Sequence, residues 1–165
     1  IPIFWTRELG TSPEQGSFAL TIFFSIGIFM TYIGGLLGDK YGPIKIIRLS
    51  LLIWLPAMFL LTEVPTFSPV IMMPIAYMLL LMIGAAKALS YSPVIVLGQT
   101  YLAKSIGFAS GITLGVSQTI GGIIAPVVGN LADTYTLPAA MMTLVPFLVV
   151  GLGASWILKD PKKLQ

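Results

Sequence analysis

The sequence contains no cysteine and no histidine, and charged residues make up only 9% of it. The first absence removes disulfide frameworks and thiol nucleophiles. The second removes imidazole bases, and the two together leave almost no ligand set for zinc. The scarcity of charge says more. A water-soluble domain carries roughly a quarter of its residues as charges to cover its surface, whereas these 165 residues hold nine basic and six acidic side chains. In their place are 56% hydrophobic residues, 17 glycines and 12 prolines, with a mean hydropathy of +0.96. Lipid is the solvent that fits this surface. The net charge of +3 is no sign of a nucleic-acid partner, because the basic residues are scattered between apolar runs and form no single patch.

A bilayer core requires about 20 mainly apolar residues per helix, and five such runs separate at polar or Gly/Pro clusters, at about 18–37, 44–61, 69–90, 106–131 and 138–158. The fold class expected is therefore all-α, a polytopic transmembrane helix bundle of five spans. Residues 1–17 form an outer segment and residues 159–165 a cytoplasmic tail. Ser12-Pro13-Glu14-Gln15 predicts the start of the first span, with an N-cap, a proline at the first helical position and a capping-box partner. Pro56 lies inside the second span, where it predicts a kink, and Pro146 lies inside the fifth. Cytoplasmic loops hold the excess of Lys and Arg. Placing Lys40, Lys45, Arg48, Lys104, Lys159, Lys162 and Lys163 inside leaves only Arg7 outside, with Lys87 within a span. The N-terminal end of the chain is then outside and the C-terminus in the cytoplasm. An odd number of spans and a start at Ile1 suggest the C-terminal piece of a longer protein, with Ile1 to Trp5 as the outer end of a preceding helix.

Between the first two spans the chain reads Gly35-Leu36-Leu37-Gly38-Asp39-Lys40-Tyr41-Gly42-Pro43-Ile44-Lys45. Glycines here allow a tight turn and close helix approach, while Asp39 is misplaced at the C-terminal end of its own helix dipole and calls for a partner elsewhere. The set Gly35, Gly38, Asp39, Lys40, Gly42 and Lys45 resembles the loop signature of the major facilitator superfamily. The order of features that follows is similar to the last five helices of its fosmidomycin-resistance branch of drug exporters: a proline-bearing helix, a methionine-rich helix, Gly98-Gln99, Gly107-Phe108-Ala109-Ser110-Gly111 and Gly121-Gly122 before Gly129. The resemblance implies most of a six-helix half of a transporter, a substrate site shared with an N-terminal half of the same protein, and alternating access.

In the fourth span Gly107, Gly111, Gly115, Gly122 and Gly129 fall on one stripe. It is read as a helix-packing face or a surface that slides during transport. Thr113, Ser117 and Gln118 lie along the same helix, where they can line a cavity or bond a neighbouring helix. Lys87 is the single charge well inside a span, and Tyr91 follows it by one turn. Either the lysine borders a substrate cavity or it snorkels to the headgroups from the cytoplasmic end of its span. Met72, Met73, Met78 and Met82 are soft packing or an adaptable wall. All six acids fall at span ends or in loops, so a coupling carboxylate for protons is expected in the N-terminal half. No nucleophile, metal or cofactor site can be assembled, and no enzyme is expected. The function read is export of a small amphiphilic or anionic compound from the cell through the inner membrane. A non-transporting scaffold or receptor of the same fold is the alternative.

Overall fold

The computed structural model describes residues 1–158, so the tail with Lys159, Lys162 and Lys163 lies outside the described residues. Among them there is no β-strand: the order is α1 (Pro2–Arg7), α2 (Pro13–Tyr41), α3 (Pro43–Glu63), α4 (Pro69–Tyr101), α5 (Ile106–Thr134), α6 (Leu137–Met142) and α7 (Val145–Ile157), with short 3-10 turns at Val64–Thr66 and Ala103–Ser105. Five helical stretches are long and apolar enough to cross a bilayer, as the composition requires.

Local chemistry sets most of the boundaries. The Ser12 side chain accepts the Gln15 N–H at the start of α2, with Pro13 at its first position. At the other end Gly42 alone separates α2 from α3. Its φ of +97° is one that only glycine adopts without strain, and its N–H donates to the Gly38 carbonyl while Pro43 begins the next helix. The first span therefore ends at Tyr41 and not near Leu37, because exposed charges at Asp39 and Lys40 end an apolar run without interrupting helical hydrogen bonds.

Two expectations are corrected. The third span does not stop near Ser90 but continues to Tyr101, with Pro74 and Pro93 inside the helix. Pro93 is buried against α2, so packing supports the backbone where its missing N–H breaks the ladder. The fifth span is not one continuous helix but α6 followed by α7. The chain turns tightly at Thr143 and Leu144, whose N–H groups reach back three residues to the carbonyls of Ala140 and Met141. Pro146 then stands in the first turn of α7, the one part of a helix where a proline costs nothing.

The core has two parts. At the Arg7 end, Phe4, Trp5 and Leu9 of the N-terminal segment pack on Met58, Leu61, Leu79, Leu80 and Ile83 of α3 and α4. At the Asp39 end a smaller cluster joins Ile44 and Ile47 to Leu97. Between these, α2 and α4 run parallel and very close. A methyl at Gly84 would sit 2.9 Å from Ile26 Cγ2 and 3.0 Å from Phe23 Cδ2, while one at Gly27 would sit 3.9 Å from Ala88 Cβ. Further along, a methyl at Gly34 would strike the Leu89 carbonyl, and those at Gly35 and Gly38 would lie 3.2 Å from Ser92 Oγ and from Pro93 Cγ. In lipid, where apolar burial drives nothing, such contacts between small residues are what holds helices together.

The glycine stripe of the fourth span lies open in this chain. Ala109 is the single buried residue of α5, and Gly107, Gly111, Gly115, Gly122 and Gly129 have nothing within 4 Å of a built Cβ. Among the described residues, then, no neighbour touches the stripe. The helix is held near its ends: Gln99 Nε2 donates to Ser110 Oγ at 2.8 Å, and Arg7 pairs with Asp133 at 3.2 Å in an exposed ion pair.

Candidate functional site

The parallel register of α2 and α4 creates a cleft of about 290 Å³, whose lining includes Phe23, Phe24 and Thr31 from α2 and Gly84, Lys87 and Tyr91 from α4. Such a volume is at the lower end of the range for small-molecule sites. The Lys87 ammonium lies 5.4 Å from the centroid of the Phe23 ring, within reach of its π face.

The depth of Lys87 differs from the sequence reading, which set it near the end of a span. Because α4 runs from Pro69 to Tyr101, about 21 Å of helix separates Lys87 from Tyr101 at 1.5 Å per residue. The neighbouring helix agrees. Ala88 faces Gly27, and Gly27 is the central residue of Pro13–Tyr41. A lysine reaches only about 6 Å beyond its backbone, so snorkelling from this position does not bring the ammonium to either helix end.

Of the five residues expected around a cavity, the structure brings together Lys87 and Tyr91. It sets the other three elsewhere. Thr113 lies against Gly98, where an added methyl would sit 2.6 Å from its Oγ1, and its hydroxyl donates to the Ala109 carbonyl. Ser117 borders a different, apolar groove of about 580 Å³ with Trp54, Met58 and Phe147. Gln118 is exposed. Sequence reasoning missed Phe23 and Phe24, for which no signal existed until the register of α2 on α4 was known.

The loop residues divide in the same way. Gly35 and Gly38 seat α2 on Ser92 and Pro93, and Gly42 makes the turn. Asp39, Lys40 and Lys45 are exposed, with the Lys40 ammonium 5.3 Å from the Tyr41 ring centroid. Among the described residues Asp39 makes no hydrogen bond or ion pair.

Arg48 was counted in the sequence only as a topological charge. Its Nε and Nη2 donate to the Ser155 carbonyl at 3.2 and 2.8 Å, and its guanidinium lies 5.0 Å from the Trp156 ring centroid. It thus caps the C-terminal end of α7 from α3, donating to a carbonyl of that helix's last turn. Arg48→Lys keeps the charge but loses the two-pronged geometry and the stacking, and lowers stability by about 1 kcal/mol. Thermal unfolding in detergent measures this.

Among the described residues no group of three or more His, Cys, Asp or Glu side chains comes together. The comparisons with known proteins agree with a membrane bundle. The sequence profile of the Major Facilitator Superfamily matches residues 1–165. This chain belongs to that superfamily. It is an integral membrane protein, and it is 31% identical over 151 residues to the uncharacterized MFS-type transporter YfnC of Bacillus subtilis (strain 168), an alignment covering 92% of this chain and 35% of that relative. The chain thus spans about a third of the length of the curated relative it matches. No solved structure matches it.

Proposed function

We propose that the chain supplies one wall of a secondary transporter of the major facilitator type, exporting a small amphiphilic or anionic compound across the inner membrane by alternating access. It acts as the C-terminal set of helices opposite an N-terminal half, in the manner of the fosmidomycin-resistance branch. The observation that supports this best is a cleft midway along α2 and α4 with one lysine and no acid on its lining. Ionisable groups inside a span are expensive and mark substrate or ion paths. Coupling to protons falls to the N-terminal half, because the acids among the described residues stand at helix ends or beyond them. The orientation proposed has the Arg7 end outside and the Asp39 end in the cytoplasm, and Asp39 stabilises one access state through a basic or helix-terminal partner.

The test uses single cysteines in the full-length protein. Cysteine at Thr66 or Thr136 is labelled by an impermeant reagent from outside and cysteine at Ser105 is not. Asp39→Asn changes the balance of accessibility between the two faces and slows transport. Unaltered transport and labelling in Asp39→Asn reduce that residue to a topology marker. Labelling that never alternates, with no compound moved, favours a scaffold or receptor.

A further inference from the structure

We propose that the cleft between α2 and α4 selects an aromatic monoanion, its acid group held by Lys87 and Tyr91 and its ring laid on Phe23 and Phe24. The inference rests on the transport reading of the same cleft and narrows its ligand.

Charge supplies the first argument. Lys87 is the only ionisable cation on the lining, and no carboxylate shares it. Among the described residues its ammonium forms no hydrogen bond or ion pair, and its one partner is the face of Phe23. A π face replaces only part of the hydration lost by an ammonium, and the three N–H donors still seek acceptors. One negative charge on a ligand balances the site. A second would stand uncompensated midway along the helices, and an organic cation would meet like charge.

Placement supplies the second. With Gly84 beside Phe23 and Ala88 beside Gly27, the two phenylalanines lie on the Arg7 side of Lys87, and Tyr91 lies one turn away towards the Asp39 end. The Tyr91 phenol is thereby set apart from the two phenylalanines along the cleft, with Lys87 between them in register. Thr31 adds no donor, because its hydroxyl already donates to the Gly27 carbonyl at 2.8 Å. Tyr91 is half exposed, and among the described residues its phenol has no hydrogen-bond partner, so it can join the ammonium on one carboxylate. A ligand with a single anionic head and a flat apolar body matches this order, and about 290 Å³ accommodates two fused rings but not a large polycyclic drug.

The test is binding of four naphthalene probes to the purified full-length protein in detergent: naphthoate, the neutral naphthamide, the cationic naphthylmethylammonium and the doubly charged naphthalenedicarboxylate. Naphthoate binds, and the other three bind at least about tenfold more weakly, the scale of one charge-assisted contact. Octanoate, with the same charge and no ring, is also weaker. In Lys87→Met the preference for naphthoate over naphthamide disappears while the melting temperature stays at the wild-type value; Lys87→Arg retains the preference, and Tyr91→Phe reduces it. Equal binding of naphthoate and naphthamide to the wild type overturns the proposal. So does unchanged naphthoate affinity in Lys87→Met, or a loss of stability in that variant without naphthoate binding to the wild type, which assigns Lys87 to an acid of another segment. If naphthoate fails to bind while the cysteine labelling still alternates, the ligand class is wrong and transport stands. If the labelling is also fixed, both fall.

Discussion

Gly34→Ala destabilises the full-length protein by about 2 kcal/mol, as read from its unfolding in mixed detergent micelles. The added methyl meets the carbonyl of Leu89, a backbone group of α4, and neither helix can relieve the clash by turning a side chain. Overpacking of this kind costs about 1–3 kcal/mol, and a backbone obstacle belongs at the upper end. The gain of up to about 1 kcal/mol from replacing glycine by alanine inside a helix offsets part of it. Gly115→Ala is the matched control. It carries the same propensity gain, but nothing stands within 4 Å of its Cβ, so this chain imposes no steric cost. A loss of stability in Gly115→Ala shows that another part of the protein covers the stripe on α5. A loss in Gly34→Ala no larger than that of the control removes the α2–α4 contact from the account of what holds the bundle together.

These two glycines also show what was legible in the sequence. Hydropathy and the uncharged runs located all five spans, because a bilayer imposes a length on each one independently of its neighbours. The capping signal at Ser12-Pro13 and the turn at Gly42-Pro43 were readable for a related reason, since both act through backbone geometry within a few residues. Long-range contacts leave no such trace. The regular glycine stripe of α5 drew attention by its spacing, yet it faces open space among the described residues. Gly34, Gly84 and Gly98, which break no pattern, are where helices approach most closely. Length misled in one place. The run after Pro69 reads as a span of about 20 residues, ending short of Pro93. Burial of Pro93 against Gly38 lets α4 continue, and that continuation moves Lys87 from a helix end to the middle of the helix. Part of the candidate cavity was visible beforehand, because Lys87 and Tyr91 share one helix face by spacing alone. The aromatic half was not, since Phe23 and Phe24 reach the site through the register of α2 on α4.

Gly84→Ala tests that register at the cleft itself. Its methyl falls 2.9 Å from Ile26 Cγ2, 3.0 Å from Phe23 Cδ2 and 3.2 Å from the Phe23 carbonyl. Two of these obstacles are side chains that can yield, so the stability cost is smaller than at Gly34, about 1–2 kcal/mol. The consequence for binding is larger in proportion, because the group that must yield is the ring lying 5.4 Å from the Lys87 ammonium. Moving Phe23 removes both the partner of the cation and the surface proposed for the ligand's ring, and naphthoate affinity falls about tenfold, as expected for one lost aromatic or cation–π contact of 1–1.5 kcal/mol. A double-mutant cycle with Ile26→Ala separates the two effects. Deleting Cγ2 of Ile26 makes room for part of the new methyl, so the two substitutions together cost less than the sum of each alone, by at least about 0.5 kcal/mol. Part of the steric cost is relieved in the double variant while the contact with Phe23 persists, and affinity stays low. Strict additivity in stability, or wild-type affinity for naphthoate in Gly84→Ala, would show that the close approach of α2 and α4 at this level does not position Phe23.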